Sequence, residues 1–294
     1  MTRGLKTALI VALILFGIGI ALIAVGFAVS GFNFENFSTR PDRTEKTYDT
    51  NVESIKAFIL DDSNNSIEFI ESTDNKIYIT YFESEKEYYN IEKSDSGTLS
   101  MEFISELKWF EYFVFNFSFE STTITVSLPS EFKGSINAKT SNGGITMTEL
   151  AVSDDVRLRS SNGTVEATGV DITGDLDVHS SNGKLILTDI TADNIIGDTS
   201  NGKVDAKNLT AAEDIELETN NGSIYITKIN ADEQIILKTS NGSIKGSIIG
   251  DRRDFEITSH TSNGHNNLPE DQSGGDIYLD VRTSNGSIDI DFVD

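Results

Sequence analysis

Cysteine is absent from the 294 residues, and the chain has only three prolines, three histidines and one tryptophan. The lack of cysteine excludes disulfides and thiolate metal sites, so packing alone must stabilise the fold. Basic residues are also scarce, since 23 lysines and arginines stand against 47 acidic residues for a formal net charge of −24. Nucleic acid should repel so acidic a chain, and we predict no nucleic-acid partner.

Several motifs that carry chemistry are missing as well. The chain has no Walker loop, no dinucleotide-binding glycine fingerprint, no Gly-x-Ser-x-Gly elbow and no EF-hand spacing. His260 and His265 flank Asn263-Gly264, but two histidines beside a loop are typical of an exposed surface rather than of a metal site. We therefore predict no cofactor, no metal and no catalytic residue.

What the chain does contain is a repeat. Asn-Gly pairs recur at intervals of 20, 20, 19, 20, 20, 22 and 22 residues, mostly within Ser-Asn-Gly. A constant period in this range is typical of repeat architectures whose units bury their apolar face against their neighbours. The eight pairs are Asn142 with Gly143, Asn162 with Gly163, Asn182 with Gly183, Asn201 with Gly202, Asn221 with Gly222, Asn241 with Gly242, Asn263 with Gly264, and Asn285 with Gly286.

Apolar residues alternate with polar ones on both sides of each pair. The position six before Asn is aliphatic in every unit, and the positions three and five after Asn are mostly apolar. This period of two predicts one half-buried strand before each Asn-Gly and one after it. A third apolar position, eight after Asn, is out of phase with a continuous strand and therefore indicates a bend.

Two architectures fit this pattern. Asn-Gly is a strong signal for a type I′ hairpin, which would give an antiparallel meander. The constant unit length and the out-of-phase apolar position favour instead a right-handed parallel β-helix-like solenoid, with about three sides to each coil. In the solenoid the asparagines would stack at one corner, and the glycines would supply a positive φ there.

The first 30 residues are apolar after a short basic start. Arg3 and Lys6 lie in residues 1–7, and residues 8–30 form an apolar run of a length that spans a bilayer. The basic flank predicts a single-pass anchor in the cell membrane, with the N-terminus inside and the rest outside. A cleaved signal peptide is the alternative, with Ala28-Val29-Ser30 as its cleavage site.

Three regions follow the anchor. We predict a juxtamembrane linker at residues 31–52, irregular N-terminal coils with an aromatic cap at 53–128, and regular solenoid repeats at 129–294. Ser63-Asn64-Asn65-Ser66-Ile67 echoes the repeat, with Asn65 in the place of glycine because Asn tolerates a left-handed backbone. The last coil carries Asp289, Asp291 and Asp294, charges that discourage edge pairing, and no separate cap follows it.

The aromatic cap is a cluster in the irregular region. Its members share one strand face and would either cover the open end of the solenoid or contact a ligand or membrane. They are Trp109, Phe113, Phe115, Phe117 and Phe119.

The recurring Thr-Ser-Asn-Gly-Ser-Ile, at 239–244 and 283–288, carries a family resemblance. Over residues 50 to 294 the sequence resembles the putative-adhesin, β-strand-repeat domain of unknown function of LiaG-like bacterial cell-envelope proteins. The resemblance implies a right-handed β-solenoid-like fold outside the membrane and brings no catalytic residues with it.

The leading hypothesis is a non-enzymatic, membrane-anchored extracellular protein that binds or scaffolds in a bacterial cell envelope, as an adhesin or an envelope-stress accessory. Its partners would be the membrane, through residues 8–30, and an unidentified envelope protein or wall polymer. The alternative is a β-helix enzyme that acts on wall polysaccharide through flank carboxylates such as Glu216 and Asp205.

Overall fold

The computed structural model describes residues 3–29, 43–107 and 122–294. One helix, α1 (Arg3–Val29), precedes the strands. Within it, Gly4–Gly26 is long and apolar enough to cross a membrane. Short 3-10 turns lie at Val52–Ser54 and Arg252–Asp254.

The rest of the described chain is built of strands. In chain order these are β1 (Thr44–Asn51), β2 (Ala57–Asp61), β3 (Ser66–Glu71), β4 (Lys76–Glu83), β5 (Glu87–Lys93), β6 (Thr98–Ser105), β7 (Thr123–Leu128), β8 (Glu131–Phe132), β9 (Ser135–Thr140), β10 (Ile145–Val152), β11 (Val156–Ser160), β12 (Val165–Ile172), β13 (Leu176–Ser180), β14 (Leu185–Ala192), β15 (Ile195–Thr199), β16 (Val204–Ala211), β17 (Asp214–Thr219), β18 (Ile224–Ala231), β19 (Gln234–Thr239), β20 (Ile244–Ile249), β21 (Phe255–Thr261), β22 (Asp271–Gln272), β23 (Ile277–Thr283) and β24 (Ile288–Val293).

The strands form two sheets that the chain visits in turn. Sheet A has the order β1-β4-β7-β3-β10-β12-β14-β16-β18-β20-β24, with β8 beside β10. Sheet B has the order β22-β21-β23-β19-β17-β15-β13-β11-β9-β2-β6-β5. Repeat strands pair in parallel with those one coil away, as β11 does with β13 and β12 with β14. The solenoid is therefore confirmed, and the antiparallel meander is wrong for the repeats.

In five of the coils the bend lies seven residues after Asn. Glu149, Asp189, Asn208 and Lys228 have φ between 51° and 54°, and Gly169 has φ 65°. The register of β10 with β12 skips this residue, pairing Thr148 with Thr168 and then Leu150 with Val170. One residue with a left-handed backbone thus turns the next aliphatic side chain back into the core. This explains why that apolar position lies eight residues after Asn.

Between the sheets lies one apolar core of aliphatic side chains. Its largest fully buried members are phenylalanines towards the two ends, Phe58, Phe69 and Phe132 at one and Phe255 at the other. Phe58 packs edge-on against Phe69 with ring centroids 6.1 Å apart. Each coil buries its inward face only against the other sheet and the adjacent coils, as the repeat period predicts.

Near both ends the order of the coils in space departs from their order in the chain. The last coil, β23 with β24, is inserted in sheet B between β19 and β21. At the other end, β2 lies between β6 and β9, and β3 between β7 and β10. The prediction that Asp294 ends an uncovered last coil is therefore wrong, because β21 and the segment after it lie beyond β23.

A second difference concerns the predicted linker at 31–52. Thr44–Asn51 is strand β1, which pairs antiparallel with β4 along its whole length. Polar side chains hid this strand, because Tyr48 is its one apolar residue that packs against the core and the sequence therefore shows no apolar alternation.

Candidate functional site

The corner between the two sheets carries a ladder of asparagine side chains. In each coil Nδ2 of Asn donates to Oδ1 of the Asn one coil back, over distances of 2.7 to 3.0 Å. The structure thus brings all the predicted corner asparagines together. In spatial order the ladder is Asn64, Asn142, Asn162, Asn182, Asn201, Asn221, Asn241, Asn285 and Asn263.

The glycines of these corners are needed for a reason other than the expected one. None of the eight has a positive φ, and neither has Asn65, so that prediction is wrong. A Cβ built on Gly183 would instead lie 1.8 Å from the carbonyl oxygen of Gly163. The corners of successive coils pass so close that only a residue without a side chain fits.

Asn65 shows why the first corner tolerates a side chain. Its amide Nδ2 donates to Asp62 at 3.0 Å and to the hydroxyl of Tyr89 at 2.8 Å, and its Oδ1 accepts from Thr122. Asp62, only 2% exposed, also accepts from the Tyr89 hydroxyl at 2.5 Å. Burial and the nearby Asp62 carboxylate raise the pKa of Tyr89, which keeps this hydroxyl a donor.

A row of hydroxyl groups lies beneath the ladder, and we did not predict it from the sequence. Ser180 donates to the carbonyl of Gly163 one coil back at 3.0 Å and accepts from the N–H of Gly183 in its own coil at 2.9 Å. The signal is present two residues before each Asn, where all eight units have Ser or Thr: Thr140, Ser160, Ser180, Thr199, Thr219, Thr239, Thr261 and Thr283.

The outer face of sheet B is the most highly charged surface that the repeats build. Its main row of side chains stands three residues before each Asn and includes Arg159, His179 and Asp198. His179 Nδ1 lies 2.6 Å from Asp198, and Lys238 Nζ lies 3.2 Å from Glu218. These residues point outward because they alternate with the buried aliphatic positions of the same strands.

Asp177 lies beside this row and binds two arginines. Its Oδ2 accepts from Arg157 at 3.0 Å and from Arg159 at 2.8 Å. Partial burial alone would raise the pKa of Asp177, but these two hydrogen bonds and the positive charges outweigh it and lower the pKa.

Glu216 lies on the same face, and its pKa is raised whereas that of Asp177 is lowered. It stands between Ile196 and Ile236 of the neighbouring strands, and burial, followed by the charge of Glu218, raises its pKa. The other carboxylate of the hypothetical catalytic pair, Asp205, is on β16 in sheet A. Since both side chains point outward from opposite sheets, they cannot act on one glycosidic bond, and this pair is wrong.

A concavity of about 390 Å³ lies on the same face near the C-terminal end. Acidic side chains line one side of it, Asp198 and Glu218, and basic ones the other, Lys238, Arg282 and His260. Arg282 Nε also binds Asp280 at 2.6 Å. The concavity therefore presents both signs of charge to any group that enters it.

The two remaining sets of residues that the sequence singled out are the histidine pair and the aromatic cluster. His260 is on β21 in this concavity, and no group of three or more potential ligands within the described ranges could hold a metal ion. The five residues of the aromatic cluster, Trp109 to Phe119, lie outside the residues that the structure describes.

Two sheets of stacked parallel strands, joined at a repeated Asn-Gly corner, define a β-solenoid protein. Residues 55–291 match the Toastrack DUF4097 family, and the chain belongs to this family. The resemblance to a putative-adhesin domain of unknown function is thereby confirmed. No curated protein matches the chain.

The chain is similar to several solved structures. A putative adhesin from Bacteroides fragilis covers 85% of this chain and 99% of its own, with 19% identity and a TM-score of 0.54. A putative lipid binding protein from Parabacteroides distasonis covers 84% and 97%, with 14% identity and a TM-score of 0.42. A putative adhesin from the same species covers 85% and 98%, with 15% identity and a TM-score of 0.36.

Proposed function

We propose that this protein is a non-enzymatic binding module of a bacterial cell envelope, anchored in the membrane by residues 8–30 with its solenoid outside. The observation that carries the proposal is the outer face of sheet B, where charged side chains stand at a fixed spacing on a rigid ladder of strands. Such a face offers many charges in a set geometry, which suits recognition of a large, patterned partner rather than of one small molecule.

The apolar helix supports the membrane part of the proposal. Gly4–Gly26 is long and apolar enough to span a bilayer. Arg3 directly precedes this stretch, and Lys6 lies in its first turn. In the proposed division, residues 1–7 stay inside, 31–43 link the anchor to β1, and the coils to 128 and the repeats from 129 form the outer domain.

Cysteine labelling tests this topology directly, because the natural chain has no cysteine to remove. In intact cells a membrane-impermeant maleimide should label Thr227→Cys, on the outer face of sheet A, and should reach Thr2→Cys only after lysis. Labelling of both or of neither in intact cells would contradict the topology. Release of the domain into the medium would show that the helix is a cleaved signal.

Binding is tested by crosslinking in the same cells. A photoreactive amino acid at Arg159, on the charged face, should capture an envelope protein or wall polymer, and the same group at Thr148, on sheet A, should not. Equal capture from both positions would show non-specific contact. Hydrolysis of wall polysaccharide by the full chain, lost in Glu216→Gln, would instead revive the enzyme alternative.

A further inference from the structure

The charges on the outer face of sheet B have an order that appears only when the strands are taken as neighbours in space. Two acidic residues, two basic residues and a histidine are followed by the same sequence of types a second time. The row, from β6 to β21, is Glu102, Asp61, Lys139, Arg159, His179, Asp198, Glu218, Lys238, Arg282 and His260.

This order is complementary to itself when it is reversed about His179. Glu102 then faces Arg282, and Asp61 faces Lys238. Lys139 likewise faces Glu218, and Arg159 faces Asp198. We propose that the outer face of sheet B binds a second copy of this chain, through a two-fold axis that runs along β13. A rotation about that axis turns the two faces together, reverses the order of the coils and keeps each row opposite itself.

The matching row on sheet A shows no such order. Four residues after Asn its side chains run Glu68, Thr146, Glu166, Ile186, Asp205, Tyr225, Lys245 and Asp289. Reversal about any member leaves charges facing neutral or like-charged groups. Complete charge complementarity is thus found in one row of side chains, on one face, and an isologous interface requires such self-complementarity.

One apolar pair of the second row of sheet B also fits the same axis, whereas three charges of that row would face neutral side chains. This row lies two residues closer to the start of each strand than the first row. In the pair of copies, Ile59 of each chain would face Ile236 of the other. The side chain of Ile59 is 39% exposed in the single chain. Asp177 would face its own copy, but Arg157 and Arg159 of the same chain already compensate its charge. Asp175, which directly precedes β13, also lies on the axis; it is half-buried and accepts from Asn194 of the same chain at 2.8 Å.

The face has the size that a specific interface needs. Nine layers, from β6 to β23, at about 4.8 Å each, and strands of about 17 Å give roughly 700 Å² per copy. Standard interfaces bury about 800 Å² on each partner. The concavity lined by Asp198 and Glu218 would receive Arg159 and Lys139 of the second copy, which are long enough to enter it.

The ion pairs within one chain do not prevent this contact. Lys139 lies 3.5 Å from Asp61 and Lys238 lies 3.2 Å from Glu218, and all four side chains are 37% to 58% exposed. Exposed pairs contribute little to stability, so their groups are available to share with a second chain. Each charge would then lie between two opposite charges in a network that excludes water.

A second copy of the chain would be the partner of the proposed binding module. The role of this contact in the cell rests on the proposed function. Reversed coil order puts the N-terminal ends of the two copies at opposite ends of the pair. Copies anchored in facing membranes would meet in this way, so the contact would hold two cell surfaces together.

Single cysteines on the axis test the pairing in the full chain in detergent. His179→Cys and Ser181→Cys each place a thiol opposite its own copy, across the roughly 10 Å that separates packed sheets. A bismaleimide of that reach should give a crosslinked dimer from either variant. Thr227→Cys, on sheet A, is the matched control and should give no crosslinked dimer.

Charge reversal decides whether the crosslink reports the proposed register. With Ser181→Cys present, Asp61→Lys alone and Lys238→Glu alone should each lower the dimer yield at least about tenfold, because like charges then face each other twice. An equimolar mixture of the two variants, distinguished by different tags, should restore a mixed dimer, since every facing pair is again opposite. Damage within one chain would not be repaired by mixing.

Several results would overturn the inference. These are no dimer from either axial cysteine, equal crosslinking from Thr227→Cys, or charge variants that mixing does not rescue. A failed dimer together with surface labelling of Thr227→Cys would refute the self-contact and leave the proposed function standing. A dimer in detergent without surface labelling would refute the proposed function and leave the contact.

Discussion

The side-chain amide of Asn267 binds the backbone of Ile290 as a second strand would. Its Nδ2 donates to the Ile290 carbonyl at 2.9 Å, and its Oδ1 accepts from the Ile290 N–H at 3.0 Å. Ile290 lies on β24, the edge strand of sheet A. One side chain thus satisfies both backbone groups at a position where no complete strand follows, which protects the edge from pairing with another chain.

Removal of this amide should destabilise the C-terminal end. Asn267→Ala leaves two partly buried backbone groups without partners and should cost about 1 to 3 kcal/mol of unfolding free energy. Melting followed by circular dichroism measures the effect. Asn137→Ala, whose side chain is exposed on sheet B and forms no hydrogen bond to the described residues, is the control and should change stability by less than about 0.5 kcal/mol.

The adjacent glycines 143 and 144 offer a matched test of the corner. A Cβ on Gly143 would lie 1.9 Å from the carbonyl oxygen of Asn65, whereas on Gly144 the nearest atom would be 3.1 Å away. Gly143→Ala must therefore push two coils apart and should cost more than about 4 kcal/mol, or prevent folding. Gly144→Ala should be tolerated with a cost of about 1 kcal/mol or less. Similar losses from both would contradict the close contact between coils.

The asparagine ladder should be more sensitive in its middle than at its end. Asn182 donates to Asn162 at 2.8 Å and accepts from Asn201 at 2.7 Å, whereas Asn263 takes part in one ladder bond, to Asn285 at 3.0 Å. Asn182→Ala should cost about 1 to 2 kcal/mol, and Asn263→Ala about half of that. Urea denaturation of the two variants compares them. A larger loss from Asn263→Ala would argue against the ladder as a source of stability.

The raised pKa of Glu216 predicts a pH-dependent gain on its removal. The folded chain holds this proton more tightly than the unfolded one, so the contribution of Glu216 to stability falls as pH rises through the raised pKa. Glu216→Gln should therefore melt at a higher temperature than the natural protein at pH 7. The difference should vanish at a pH below the usual glutamate pKa of about 4.3.

Glu166→Gln, on the outer face of sheet A, serves as the control for that change. A gain at pH 7 that persists unchanged at low pH would show that the effect of Glu216→Gln comes from packing rather than from its charge. No gain at pH 7 would contradict the raised pKa.

Local rules in the sequence determined the repeating unit. Alternation on both sides of Asn-Gly predicted the strands, and the aliphatic residue eight after Asn predicted the bend that Glu149 and its counterparts make. These features could be predicted because each depends on a few neighbouring residues. The constant period then favoured stacking, since only coils of equal length remain in register.

Tertiary structure alone decided the order of the coils at the ends and the role of the corner glycines. Nothing local distinguishes β23 from β21 as the neighbour of β19, because parallel pairing joins residues far apart and the repeats share one pattern. The contact of Gly183 with Gly163 likewise exists only between coils. The charge order of sheet B depends on the sequence and the tertiary structure together. The sequence supplied the side chains, and the insertion of β23 placed Arg282 before His260.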